Sequence, residues 1–153
     1  MEKYQEMNAQ ERDLVLEWSK IFIRESEKLR SGAKLESVLK VCANAHYERS
    51  EMDKVLSSYE GKIYEFIEFI EKEWSWKIKY DECAGVLIAD ENKDYCVCPM
   101  VKYGIFDSTE LCNCSVGFAE RMFSKVFMRN VKATVDRSFL RDHKSCVYRI
   151  NVK

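Results

Sequence analysis

The chain changes its hydrophobic period near residue 74. Before that point apolar positions recur every three or four residues, as on one face of a helix. Leu14, Trp18, Ile21, Phe22 and Leu29 predict an amphipathic helix over residues 8–30, with Glu25 a polar member of the same stripe. Asn8 followed by Glu11 has the form of a capping box, and Ser31-Gly32 supplies the stop. Leu35, Val38, Leu39, Cys42 and Ala45 predict a second helix over residues 33–47. Residues 50–72 predict one or two more, with Met52, Val55, Leu56, Ile63, Phe66, Ile67 and Ile70 as the apolar stripes and Gly61 as the break. Glu65, Glu68, Glu71 and Glu73 read as a solvated face, not as paired catalytic carboxylates.

From residue 74 the period is two. Trp74, Trp76, Ile78 and Tyr80 alternate with polar residues and predict a half-buried strand. Residues 83–89 predict a second strand, residues 90–94 a polar turn, and residues 95–98 a short third strand ended by Pro99. Residues 100–113 read as loop. Ala119, Met122, Phe123 and Val126 mark a helix over residues 114–127. Arg129-Asn130 reads as a turn with Asn130 left-handed. Val131, Ala133 and Val135, then Cys146, Tyr148, Ile150 and Val152, predict two strands of an antiparallel hairpin around a turn at 140–144. The expected fold is α+β: helices of residues 1–73 packed on a mostly antiparallel sheet, within a cysteine-rich part of residues 74–153 that ends in a strand-helix-strand-strand unit.

Composition narrows the partners. Of 153 residues, 46% are hydrophobic, enough for a substantial core. Charged residues nearly cancel, leaving a net charge of −1, so nothing basic points to nucleic acid or to an acidic membrane surface. The apolar runs are too short to span a bilayer, and the polar start Met1-Glu2-Lys3-Tyr4 does not resemble a signal peptide. A cytoplasmic protein is expected. In a reducing compartment its seven cysteines serve as thiols or metal ligands more readily than as disulfides. No phosphate loop, dinucleotide fingerprint or His-Glu-x-x-His occurs.

The candidate chemistry lies in Cys96-Val97-Cys98-Pro99 and Cys112-Asn113-Cys114, with Cys146 near the C-terminus. Two Cys-x-Cys pairs offer the ligand set of Zn²⁺ and, ranked behind it, of an iron–sulfur cluster. Cys42 and His46 are four apart on one helix and form an alternate ligand pair. Cys112 and Cys114 fall at a helix N-terminus, where the dipole favours thiolate, so a reactive thiol is a second reading. Buried structural cysteine is the third, and it takes in Cys83. His143, beside Arg141, Asp142 and Lys144, reads as a solvated turn residue. Trp74, Trp76, Tyr95, Tyr103 and Phe106 supply walls for a small apolar or aromatic ligand, or simply core.

Cys112-x-Cys114, Gly117, Phe118, Val131, Ser138 and Cys146-Val147-Tyr148-Arg149-Ile150 together resemble the 4-vinyl reductase, or hydrocarbon-binding, domain family over residues 75–152. The resemblance implies an α+β domain that binds small apolar or aromatic molecules, in some members beside a cysteine-held zinc. Cys112 and Cys146 match two cysteine positions of that site. Ser138 stands where such members have a third cysteine, and Cys96, Cys98 and Cys114 offer replacements. Asn130 and Asp142-His143 occupy turns where the family prefers Gly. The layout is also similar to a prokaryotic group of cysteine-rich proteins, in which His46 stands at a cysteine position, and to the L-2-amino-thiazoline-4-carboxylic acid hydrolase family. Three functions are therefore expected: a small-molecule-binding or sensor-type domain with a cysteine-ligated zinc; a hydrolase of a small cyclic amide or thiazoline-like substrate using the same patch; or a homodimeric partner-binding protein whose first helix offers Trp18 and Phe22.

Overall fold

The computed structural model describes residues 7–106 and 108–153. The protein is α+β, with helices lying on one face of a four-stranded antiparallel sheet. Helix α1 (Ala9–Ser26) starts on the expected capping box. Asn8 Oδ1 accepts from the Glu11 amide at 2.9 Å, and Glu11 Oε2 accepts from the Asn8 amide at 3.0 Å. A 3₁₀ turn (Glu27–Ser31) carries the chain to Gly32, whose φ of 90° is the left-handed stop. Glu25, the polar member of the α1 stripe, is buried and is held by Lys28 and Arg24. Helix α2 (Leu35–Arg49) then returns along α1. Helix α3 (Met52–Leu56) is separated from α4 (Ile63–Trp74) by Gly61, at φ 73°, whose amide donates to the Val126 carbonyl at 2.8 Å.

Strands β1 (Lys77–Asp81), β2 (Val86–Asp90), β3 (Lys132–Arg137) and β4 (Val147–Asn151) pair in the order β1-β2-β4-β3. Register places Tyr80 opposite Leu87, Leu87 opposite Ile150, and Ile150 opposite Ala133, so one face is apolar across all four strands. That face is covered by α6 (Cys112–Phe127), whose Met122, Phe123 and Val126 are wholly buried. Phe66 of α4 meets Phe123 edge-on at 5.9 Å. The opposite face carries Lys77, Lys79, Lys132 and Arg149 toward solvent.

Helix α6 also packs along α2, and there the backbones come unusually close. A Cβ on Gly117 would stand 2.4 Å from the Lys40 carbonyl oxygen. Around this point Glu120 accepts from Lys40 Nζ at 3.3 Å and from the Ala133 amide at 3.1 Å. Arg121 bonds Asn44 and Glu48 and lies over the Tyr47 ring, 3.8 Å from its centroid.

Five local expectations differ. Trp74 belongs to the last turn of α4, and the reversal comes at Ser75 (φ 61°), so β1 begins only at Lys77. Residues 95–98 form no strand: β2 already has β1 and β4 on its two edges, which leaves them no sheet partner there. Residues 100–113 are not plain loop. Pro99 opens a short helix α5 (Pro99–Lys102), in keeping with proline's fitness for a first helical turn, and Thr109–Leu111 is a 3₁₀ turn leading into α6. Met128 (φ 53°), not Asn130, takes the left-handed position after α6. The 140–144 turn contains α7 (Phe139–Asp142) and closes at His143.

Gly117→Ala would force apart two backbones, which no rotamer change relieves. The variant should lose about 1–3 kcal/mol, read as a lower midpoint of chemical denaturation at unchanged m-value. Wild-type stability in Gly117→Ala would show that α2 and α6 do not meet this closely.

Candidate functional site: an apolar cavity beside four thiols

Apolar packing divides into two clusters. One joins the sheet to α3, α4 and α6; the other joins α1 and α2 to α5. Phe118 packs against both. Between them lies a cavity of about 440 Å³, a volume suited to a small organic ligand. Its walls come from every layer: Trp18 of α1, His46 of α2, Phe69 and Trp74 of α4, Phe118 of α6 and Tyr148 of β4. Trp76, Cys98 and Cys114 also line it.

Glu91 is the polar centre of this cavity. The sequence placed it in a polar turn, yet it is only 5% exposed. Its amide donates to the Cys146 carbonyl at 2.9 Å, which anchors it beside the start of β4. Tyr148 donates its hydroxyl to Glu91 Oε1 at 2.9 Å, while Oε2 has no hydrogen-bond partner. Burial pushes the carboxyl up to about 7, against a smaller opposite pull from the Tyr148 hydrogen bond. The one signal available beforehand was register: Glu91 directly follows a strand whose Leu87 and Ala89 point inward. His46 also lines the cavity, its ring 5.2 Å from Phe118, and burial lowers its pKa toward the neutral imidazole.

The cysteines divide by position. Cys96, Cys98, Cys112 and Cys146 line one small cavity of about 10 Å³, roughly one water-sized sphere. The 95–98 segment, the first turn of α6 and the start of β4 bring them together. Cys98 also lines the large cavity, as do Ser115 and Tyr148. Among the described residues no three His, Cys, Asp or Glu side chains stand in a metal-holding group. Cys114 and Cys42 are not part of the four. Cys114 accepts from Trp18 Nε1 at 3.4 Å, and Cys42 is fully buried in the α1–α2 cluster. His46 faces the large cavity. Cys83 is exposed between β1 and β2. All seven cysteines are free thiols.

The expected lowering of thiol pKa at the start of α6 is reversed at Cys114, where burial pushes the thiol up to about 12. Burial likewise holds Cys96 and Cys98 near 11 and Cys146 near 12. Desolvation in the packed interior outweighs the helix dipole.

Of the aromatic residues expected around a ligand, Trp74 and Trp76 line the cavity. Tyr103 instead bonds Glu11 at 2.7 Å, Tyr95 is exposed, and Phe106 lies half-exposed against Trp18. Trp18 is 3% exposed and stacked on Phe22 at 5.3 Å, so its ring is packed within the chain. No helix among the described residues is long and apolar enough to cross a membrane.

No family model matches the chain, and neither a curated protein nor a solved structure is significantly similar to it.

Glu91 predicts a pH dependence. Its folded-state pKa lies above the ordinary 4.5, so the folded protein binds more protons than the unfolded chain in between. Its protonation therefore stabilises fully below about pH 4.5, and that contribution fades as the pH rises to about 7. The loss amounts to about 3 kcal/mol. Glu91→Gln should flatten the denaturation profile over this interval and be the more stable protein at pH 8. An unchanged profile in the variant would contradict the burial of an ionisable Glu91.

Proposed function

We propose that this protein is a small-molecule-binding or sensor-type domain whose ligand occupies the cavity between the two apolar clusters. The observation that carries the reading is that cavity: about 440 Å³, walled mainly by aromatic and aliphatic side chains, with Glu91 and His46 as its convergent polar groups. The resemblance to the hydrocarbon-binding family belongs to the same proposal. Protonated thiols at Cys98 and Cys114 suit cavity walls better than nucleophiles, which favours binding over hydrolysis.

The finer part of the proposal is zinc. Cys96, Cys98, Cys112 and Cys146 are the donors that would hold it: they line one small space, although among the described residues they do not stand as a metal-holding group. Four thiols are the donor chemistry of a four-thiolate zinc centre; their sulfurs would have to close on the ion, and loading would release the thiol protons. Such a centre is structural: it ties the 95–98 segment and α6 to β4 and fixes the wall shared with the ligand cavity. Ser138 and Leu140 also line this space.

Two measurements test the two parts. Val97 is 41% exposed at the cavity lining, so Val97→Trp should obstruct the cavity without disturbing the core. Wild-type protein should bind an apolar fluorescent probe saturably, and Val97→Trp about tenfold more weakly; no binding by wild type contradicts the reading. Elemental analysis of anaerobically purified protein should give one zinc per chain, lost in Cys98→Ser and in Cys112→Ser but retained in Cys42→Ser. Metal-free protein with seven reactive thiols after unfolding would remove zinc from the proposal and leave the cavity.

A further inference from the structure

The cavity lining has one formally charged side chain, Glu91, which feels the Lys93 charge only as a minor influence. Neither Lys nor Arg is among the residues that line it. The lysine nearest in sequence, Lys93, donates Nζ to the Trp74 carbonyl at 3.0 Å. Glu91 is 95% buried by its 5% exposure, and Oε2 stands without a partner. A buried acceptor left unpaired is costly, so the site is incomplete as folded.

The rings beside it are arranged in series. Phe69 meets Trp74 at 5.7 Å, Trp74 meets Trp76 at 5.6 Å, and Trp76 stacks on Tyr148 at 6.3 Å. The series ends at the Tyr148 hydroxyl, which is bonded to Glu91 Oε1. An aromatic wall that leads to a buried, half-satisfied carboxylate attracts cations twice, through the ring faces and through the acid.

From this geometry we infer that the ligand is an organic ammonium ion: an apolar or aromatic body carrying one amine, which donates to the Glu91 carboxylate while its body lies along Phe69, Trp74 and Trp76. The inference rests on the cavity being the binding site and adds the chemical class of its occupant. The ammonium supplies both the missing donor and a full positive charge inside the cavity. A carboxylate of the same size meets Glu91 with like charge, and a neutral alcohol supplies the donor without the charge.

Calorimetry with phenethylamine, phenethyl alcohol and phenylacetate on the intact chain tests this. The amine should bind at least about tenfold more tightly than the alcohol, and phenylacetate should not bind. Glu91→Gln should erase the preference, so that amine and alcohol bind alike. Equal affinity for amine and alcohol in the wild type overturns the ammonium inference while leaving the cavity as a binding site. A preference that survives in Glu91→Gln overturns the role of Glu91. No binding of any of the three, by protein of native circular dichroism, overturns the cavity reading and this inference with it. The ligand series on wild-type protein decides the charge question even if Glu91→Gln fails to fold.

Discussion

The close approach of Gly117 to the Lys40 backbone is the constraint from which the rest of the architecture follows. Any larger residue would lift α6 off α2, since a Cβ there already stands 2.4 Å from a carbonyl oxygen. Helix α6 has two obligations: its Met122, Phe123 and Val126 seal the sheet, and its other side meets α2. Meeting both fixes its position, and with it Cys112, Cys114, Ser115 and Phe118. The polar network of Lys40, Glu120, Arg121 and Asn44 flanks the crossing and satisfies groups that the approach would otherwise strand.

Because α6 serves two cores at once, the space between them is not filled. Phe118 bridges the clusters, but beside it the walls stay apart. Native interiors pack densely, so an apolar hollow of this volume leaves unmade contacts that a filled interior would make. The buried carboxylate on its wall is a second cost of the same kind. Two local departures from a well-packed, fully paired interior coincide at one place, and that coincidence is the ground for proposing a binding site there.

Much of the scaffold was legible in the sequence. Asn8 and Glu11 gave the start of α1, Gly32 the stop of the 3₁₀ turn that follows it, and Gly61 the break before α4, because each acts on the backbone next to it. Alternation gave the strands of the sheet but not the limits of β1, since Trp74 and Trp76 continue a period-two pattern across a helix end. Residues 95–98 were misread for a tertiary reason: a strand needs a free edge beside it, and β2 had none to give. The site was legible in part. Cys-x-Cys spacing singled out Cys96, Cys98, Cys112 and Cys114, with Cys146 already named beside them, and the structure sets all of these but Cys114 around one small space. Spacing could not separate Cys114 from Cys112, although helix geometry turns residues two apart to different sides. Nor could it reveal that burial overrides the dipole at Cys114. Glu91 lay hidden in a run of charged residues, and only the sheet register shows that it turns inward.

A crystal structure of the protein as purified from cells tests the central claim most directly. The account predicts an open cavity bounded by Phe69, Trp74, Phe118 and Tyr148, with density for a small molecule that reaches Glu91. A collapsed interior, with Trp74 or Phe118 turned in to fill the space and Glu91 swung out to solvent, would contradict it.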